Sequence, residues 1–175
     1  MDNKRDEDMT APWYDTIEKE VRLIYGHVSL TKADRELPRV YPTMPSIVLK
    51  RRLEQMAFGD DDIVLIDCPP NLYLVTQNSL AASDYYIITT IPDHLSTIGI
   101  NILVRKISEL NEILMQKYRI ARVDAACVAL KGILFTMVHK VGPHIVSMNK
   151  KIMQDIHDKY GDLCFEKYIL WGIGY

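Results

Sequence analysis

One stretch constrains the fold more than any other: Asp61-Asp62-Ile63-Val64-Leu65-Ile66-Asp67-Cys68-Pro69-Pro70. Ile63 to Ile66 form an apolar run of strand-forming residues, which predicts a buried strand. The run ends on a single carboxylate, Asp67, and two prolines then stop further strand or helix hydrogen bonding. An α/β sheet delivers an acid in this way to its carboxyl edge, where ligands bind.

A length of 175 residues predicts one domain with a real core. Its composition, 48% hydrophobic and 25% charged, is that of a globular protein and excludes a disordered chain. No apolar run approaches the roughly 18 residues that a membrane span needs, so no membrane association is expected. The formal charge of -2 exerts no general pull on nucleic acid, and DNA binding would need a local patch. Residues 1–12 read as a polar tail without the apolar core of a secretory signal, which predicts a cytoplasmic protein. Cys68, Cys127 and Cys164 are widely separated, so neither a disulfide framework nor a zinc site is expected.

Taken in order, the chain alternates strands and helices. Trp13 to Val21 predicts a short helix, Val21 to Tyr25 a strand, and Leu30 to Leu37 a helix broken by Pro38. Ser46 is a good N-cap for a helix reaching Gly59. Asn71 caps a helix through Ala82, Tyr85 to Ile91 is a strand stopped by Pro92, and Ser96 caps the longest helix. That helix is expected to bury Ile98, Ile102, Leu103, Ile107, Leu110 and Leu114. A strand within Ala125 to Val138, a Gly142-Pro143 loop, a polar helix from about His144 to Tyr160 and a strand from Leu163 to Leu170 complete the expected order. The fold class is therefore α/β, a three-layer, mainly parallel sheet with helices on both faces, in a single domain over residues 13–175.

Asp67 is the strongest candidate for chemistry. A carboxylate at a strand end can hold the water shell of Mg²⁺ and so position a triphosphate, although a capping or solvated aspartate reads the same. A phosphate cradle also needs glycines and a lysine. None of the eight glycines is followed by lysine. Asp93-His94 suits a solvated loop better than an acid/base pair, and His139 and His144 have no metal-ligand spacing. Lys140, Lys150 and Lys151 could touch DNA phosphates or form the wet side of a polar helix. Cys68 is expected to be buried, like most of the cysteines, and the negative charge beside it disfavours a thiolate nucleophile.

Residues Ile63 to Leu72, followed by Thr76-Gln77-Asn78-Ser79-Leu80-Ala81-Ala82-Ser83-Asp84, resemble the Walker B and switch II region of the ParA family of partition ATPases, the deviant Walker A type that includes MinD. Ile91 to Ile100 is similar to the family's next strand end and helix start, and Gly132 to Val138 to its following strand. The resemblance runs from about Val21 onward.

It implies a P-loop NTPase-like fold and an ATPase that segregates plasmids, chromosomes or other cargo. Such an enzyme dimerises around ATP and Mg²⁺ and binds DNA non-specifically. By position, Asp67 corresponds to the Walker B acid that contacts Mg²⁺ through water, Pro69 and Pro70 lie in switch II, and Thr136 lies near the adenine base. The family's first strand, glycine-lysine loop and helix have no counterpart before this match, and its last helices none after it. A domain truncated at both ends, inactive alone, is the expectation. Its partners would be a second copy or a full-length relative, with DNA and a partition adaptor as further partners. The alternative is a non-catalytic interaction protein that keeps the fold and pairs with such a relative.

Overall fold

The computed structural model describes residues 14–15, 21–24, 28–56, 58–59, 61–121 and 127–172. The expected polar tail lies outside them. At the centre, β3 (Tyr85–Thr90) pairs in parallel with β4 (Ala129–Phe135). Both are rich in β-branched and aliphatic residues that suit a half-buried pleat. The register shifts by one residue after Tyr86, so Lys131 is extra on β4, and its ammonium lies 4.9 Å from the Tyr85 ring centroid.

The expected last strand appears as two isolated parallel bridges, Ile133 of β4 with Cys164 and, past the end of β4, Val138 with Leu170. Phe165 donates its N–H to the Ile133 carbonyl at 3.0 Å, and Ile169 to that of Phe135 at 2.8 Å. Four steps of this segment thus run beside two steps of β4. The surplus bulges outward at Glu166 and Lys167, both exposed and charged, which is why no continuous ladder forms.

The α/β class holds, with its helices gathered on one side of this sheet among the described residues. Ile88, Ile133 and Phe135 pack with Ile100 of α4 (His94–Ala121) and with Ile152 and Ile156 of α5 (Ser147–Tyr160). Leu80 of α3 (Leu74–Ala82) packs on Ile107 and Val128. Met44 and Ile47 meet Ala81, Leu114 and Tyr118 behind them. The opposite sheet face presents Tyr85, Ile87 and Thr89 to solvent, and Phe165 lies across Gly132.

Several expectations change. Ile63 to Ile66 form no strand, and Ile63 and Leu65 are 84% and 88% exposed. An apolar run becomes a strand only beside a partner backbone, and none is paired with it among the described residues. Tyr14–Asp15 (β1) pairs antiparallel with Arg22–Leu23 (β2), where a helix was expected at the first of these. Helix α1 (Ala33–Val40) runs through Pro38, because only one amide is lost and the Tyr41 N–H still reaches the Leu37 carbonyl at 2.7 Å.

Ser46 does not cap the next helix. It lies buried in a 3-10 turn, Pro45–Ile47, before α2 (Val48–Glu54), which also stops short of Gly59. Asn78 of α3 serves instead, accepting the Leu49 N–H at 3.1 Å and donating to the Pro45 carbonyl at 2.8 Å. Asn71 orders the approach to α3 by accepting the Tyr73 N–H at 3.0 Å, but the helix starts only at Leu74.

Asp93, not Ser96, caps α4, since its Oδ1 accepts the Ser96 N–H at 2.7 Å. The buried side of α4 is Ile100, Ile107, Leu114 and Tyr118, while Ile98 and Ile102 are exposed. Gly142 (φ 59°) turns a hairpin between β5 (Lys140–Val141) and β6 (His144–Ile145), so α5 begins at Ser147 rather than His144. Gly161 (φ 54°) ends it.

Candidate functional site

Parallel pairing brings the ends of β3 and β4 to one edge, where the chain leaves the sheet twice. The Thr136 N–H donates to the Thr90 carbonyl at 2.8 Å, and its Oγ1 donates to the same oxygen at 3.4 Å. Thr90 in turn donates its hydroxyl to the Ile91 carbonyl at 3.4 Å. Both threonines therefore spend their hydroxyl protons on the main chain and keep lone pairs as acceptors. Met137 follows with φ 53°, a left-handed conformation unusual for a side chain of its size.

Asn149, in the first turn of α5, ties the two exits together. Its Oδ1 accepts the His139 N–H at 2.9 Å, and its Nδ2 donates to the Pro92 carbonyl at 3.0 Å. One amide thus fixes the chain after both strands. The His139 ring stacks on that of Trp171, with centroids 5.3 Å apart and planes 21° from parallel. Trp171 is itself held by its N–H to the Val138 carbonyl at 3.0 Å, and it remains 54% exposed.

Asp67 is exposed, as are Pro69 and Pro70, and so is Cys68, which was expected to be buried but has no strand beside it among the described residues to cover the thiol. Pro69 closes a tight turn by accepting the Asn71 N–H at 2.7 Å. At the start of α3, the Leu74 N–H donates to Asp34 Oδ1 at 2.7 Å, so a carboxylate from α1 sits on the helix N-terminus. No group of three or more His, Cys, Asp or Glu able to hold a metal occurs among the described residues. Asp67 offers a single carboxylate, which suits a hydrated Mg²⁺ rather than a closed all-protein cage. Asp93 is half-buried and committed to capping α4, whose first residue is His94, so the pair is a helix start rather than the solvated loop expected.

Behind the edge, burial perturbs the titration of three groups. Burial raises Tyr86, with Tyr160 adding to the effect, and burial also raises Tyr160 and Cys164. These groups stay neutral in the core around Ile133 and Ile156. On the exposed side of α4, a hydrogen bond from Lys106 lowers Glu109.

The sequence reading brought forward Asp67, Pro69, Pro70 and Thr136. It missed Asn149, Trp171 and Asp34. An asparagine in the first turn of a polar helix gives no signal of what it bonds, because its partners lie 10 and 57 residues away. A tryptophan just after a strand could have been singled out as an exposed aromatic at the ligand edge.

The AAA domain family profile matches residues 5–120. The sporulation initiation inhibitor protein Soj of Bacillus subtilis is 31% identical over 137 residues, 76% of this chain and 49% of that protein. An uncharacterized protein of Mycobacterium tuberculosis is 32% identical over 108 residues, 62% of this chain and 30% of that protein.

Among solved structures, a cobyrinic acid a,c-diamide synthase from Mycobacterium smegmatis with bound ADP and magnesium superposes with a TM-score of 0.65 at 24% identity, covering 85% of this chain and 54% of that one. A Cyanothece McdA–ATP complex gives 0.67 at 19% identity over 91% and 56%. A plasmid partition protein from Borrelia burgdorferi gives 0.62 at 16% over 90% and 56%. The chain thus spans about half the length of these structures and 30% to 49% of the two curated relatives.

Proposed function

The chain belongs to the AAA domain family, in its ParA-type branch of P-loop ATPases, and from that premise we propose that it serves ATP-dependent partitioning of a plasmid, chromosome or other cargo. The observation that carries this reading is the exposed Asp67-Cys68-Pro69-Pro70 turn, which lies inside the matched region and leads into α3. Asp67 holds hydrated Mg²⁺, Pro69 and Pro70 form the responsive turn, and Thr136 offers its acceptor lone pairs beside the base. The chain acts as a dimer, or with a longer relative, in the cytoplasm. Non-specific DNA and a partition adaptor are its further partners.

The glycine-lysine cradle that stabilises charge in phosphoryl transfer has no match in this sequence. The exposed Ile63 and Leu65 favour a second reading, a non-catalytic interaction protein that pairs through this uncovered apolar run.

Calorimetric titration with ATP and Mg²⁺, repeated with Asp67→Ala, separates the two. Saturable binding weakened by the substitution supports the ATPase reading. Binding that ignores the substitution removes Asp67 from the site. Absence of binding leaves the interaction reading.

A further inference from the structure

We propose that the Trp171–His139 stack is a preformed platform for a purine base. The inference rests on the nucleotide reading for its biological ligand, and on geometry for the platform itself. Three observations converge. The two rings are already near-parallel at 5.3 Å, so a third flat ring extends an existing stack instead of creating one. The platform is also exposed: Trp171 keeps 54% of its surface, and nothing lies within contact of a Cβ added at the next residue, Gly172.

The main chain that carries the two rings is fixed by main-chain and amide hydrogen bonds, and the rings hold each other by stacking. Trp171 hangs from Val138, His139 from Asn149, and Asn149 from Pro92 beyond the neighbouring strand. Little backbone freedom remains to be lost when a ligand arrives. The rings lie past the end of β4, on the edge where parallel sheets take ligands.

The same surroundings define the ligand class. The hydroxyl protons of Thr90 and Thr136 are engaged with main-chain carbonyls, so these side chains donate nothing to a base edge. Recognition is by ring area, which favours the two-ring purines over pyrimidines and discriminates weakly between adenine and guanine.

The test uses the full chain in a Trp13→Phe background, so that indole fluorescence reports Trp171 alone. Adenosine, guanosine, cytidine and ATP with Mg²⁺ are titrated separately. Quenching by adenosine and guanosine at similar concentrations, with cytidine at least about fivefold weaker, is expected. In calorimetry, Trp171→Ala should weaken adenosine binding at least about fivefold, with Trp171→Phe in between.

Quenching by adenosine without binding of ATP keeps the platform and removes the triphosphate reading of the previous section. ATP binding that is unchanged in Trp171→Ala, without quenching by any nucleoside, overturns the platform and leaves the ATPase reading in place. No response to any of the four ligands overturns the platform as well.

Discussion

The main-chain amide of Leu74 donates to Oδ1 of Asp34 at 2.7 Å, joining the first turn of α3 to α1 across 40 residues. A carboxylate there satisfies an amide that the helix cannot, and it opposes the positive end of the helix dipole. Asp34→Ala should lower stability by about 1 kcal/mol, and Asp34→Asn by less, since an amide oxygen still accepts. Urea unfolding would show a lower midpoint at constant slope. An unchanged midpoint would mean that water replaces the carboxylate without loss.

Gly132 is required by its neighbour. A Cβ at this position would run into the Phe165 ring, which crosses the sheet there. Gly132→Ala should cost about 1–3 kcal/mol by overpacking. Phe165→Ala in the same chain should recover part of that loss, so the double-mutant cycle gives a coupling term. Additive effects would show that the ring simply swings away.

Asn149 bridges the two strand exits through both polar atoms of its amide. Asn149→Ala leaves the Pro92 carbonyl and the His139 amide without their partner, at a cost of about 1–3 kcal/mol. Asn149→Asp keeps the acceptor and loses the donor, so it should spare the His139 amide and free Pro92. Amide exchange at His139 distinguishes them. It should quicken in the alanine variant and stay slow in the aspartate variant.

Cys164 is buried, and burial raises its thiol above the ordinary range, whereas Cys68 and Cys127 are exposed. A maleimide should therefore modify Cys68 and Cys127 in the folded protein and Cys164 only after unfolding. The sign of the pH effect follows. A thiol whose folded value is raised contributes stability that is complete below its unfolded pKa and is lost as pH rises through the folded one. Cys164→Ala should flatten the alkaline fall in stability.

Much of the fold was legible because the signals were local. Tyr85 to Thr90 is bounded by Asp84 and Pro92, and Gly142 and Gly161 sit where a left-handed turn and a helix stop are needed. What was not legible depends on distant partners. Ile63 to Ile66 has strand composition, yet a strand exists only when paired. Ser46 has cap chemistry, yet Asn78 arrives from another helix to cap α2. On α4, Ile98 and Ile102 are as apolar as Ile100 and Ile107, so the burial of one set over the other is decided by where β3 and α5 lie. The candidate site divides similarly: Asp67 stands out by its Pro-Pro neighbour, whereas Asn149 acquires its role only through tertiary contact.

The parallel pairing of β3 with β4 has a temporal side. Thr90 meets Phe135 about 45 residues further along the chain, with α4 and a loop between them. The loop closure must be accomplished before any of that pairing is rewarded, which makes the step slow compared with closing the β5–β6 hairpin. During synthesis at 5–20 residues per second, β3 would wait roughly 2–9 seconds for its partner to emerge. For that interval Tyr85, Ile87 and Ile88 are an unpaired, apolar template, so a nascent chain of this kind needs shelter at the ribosome.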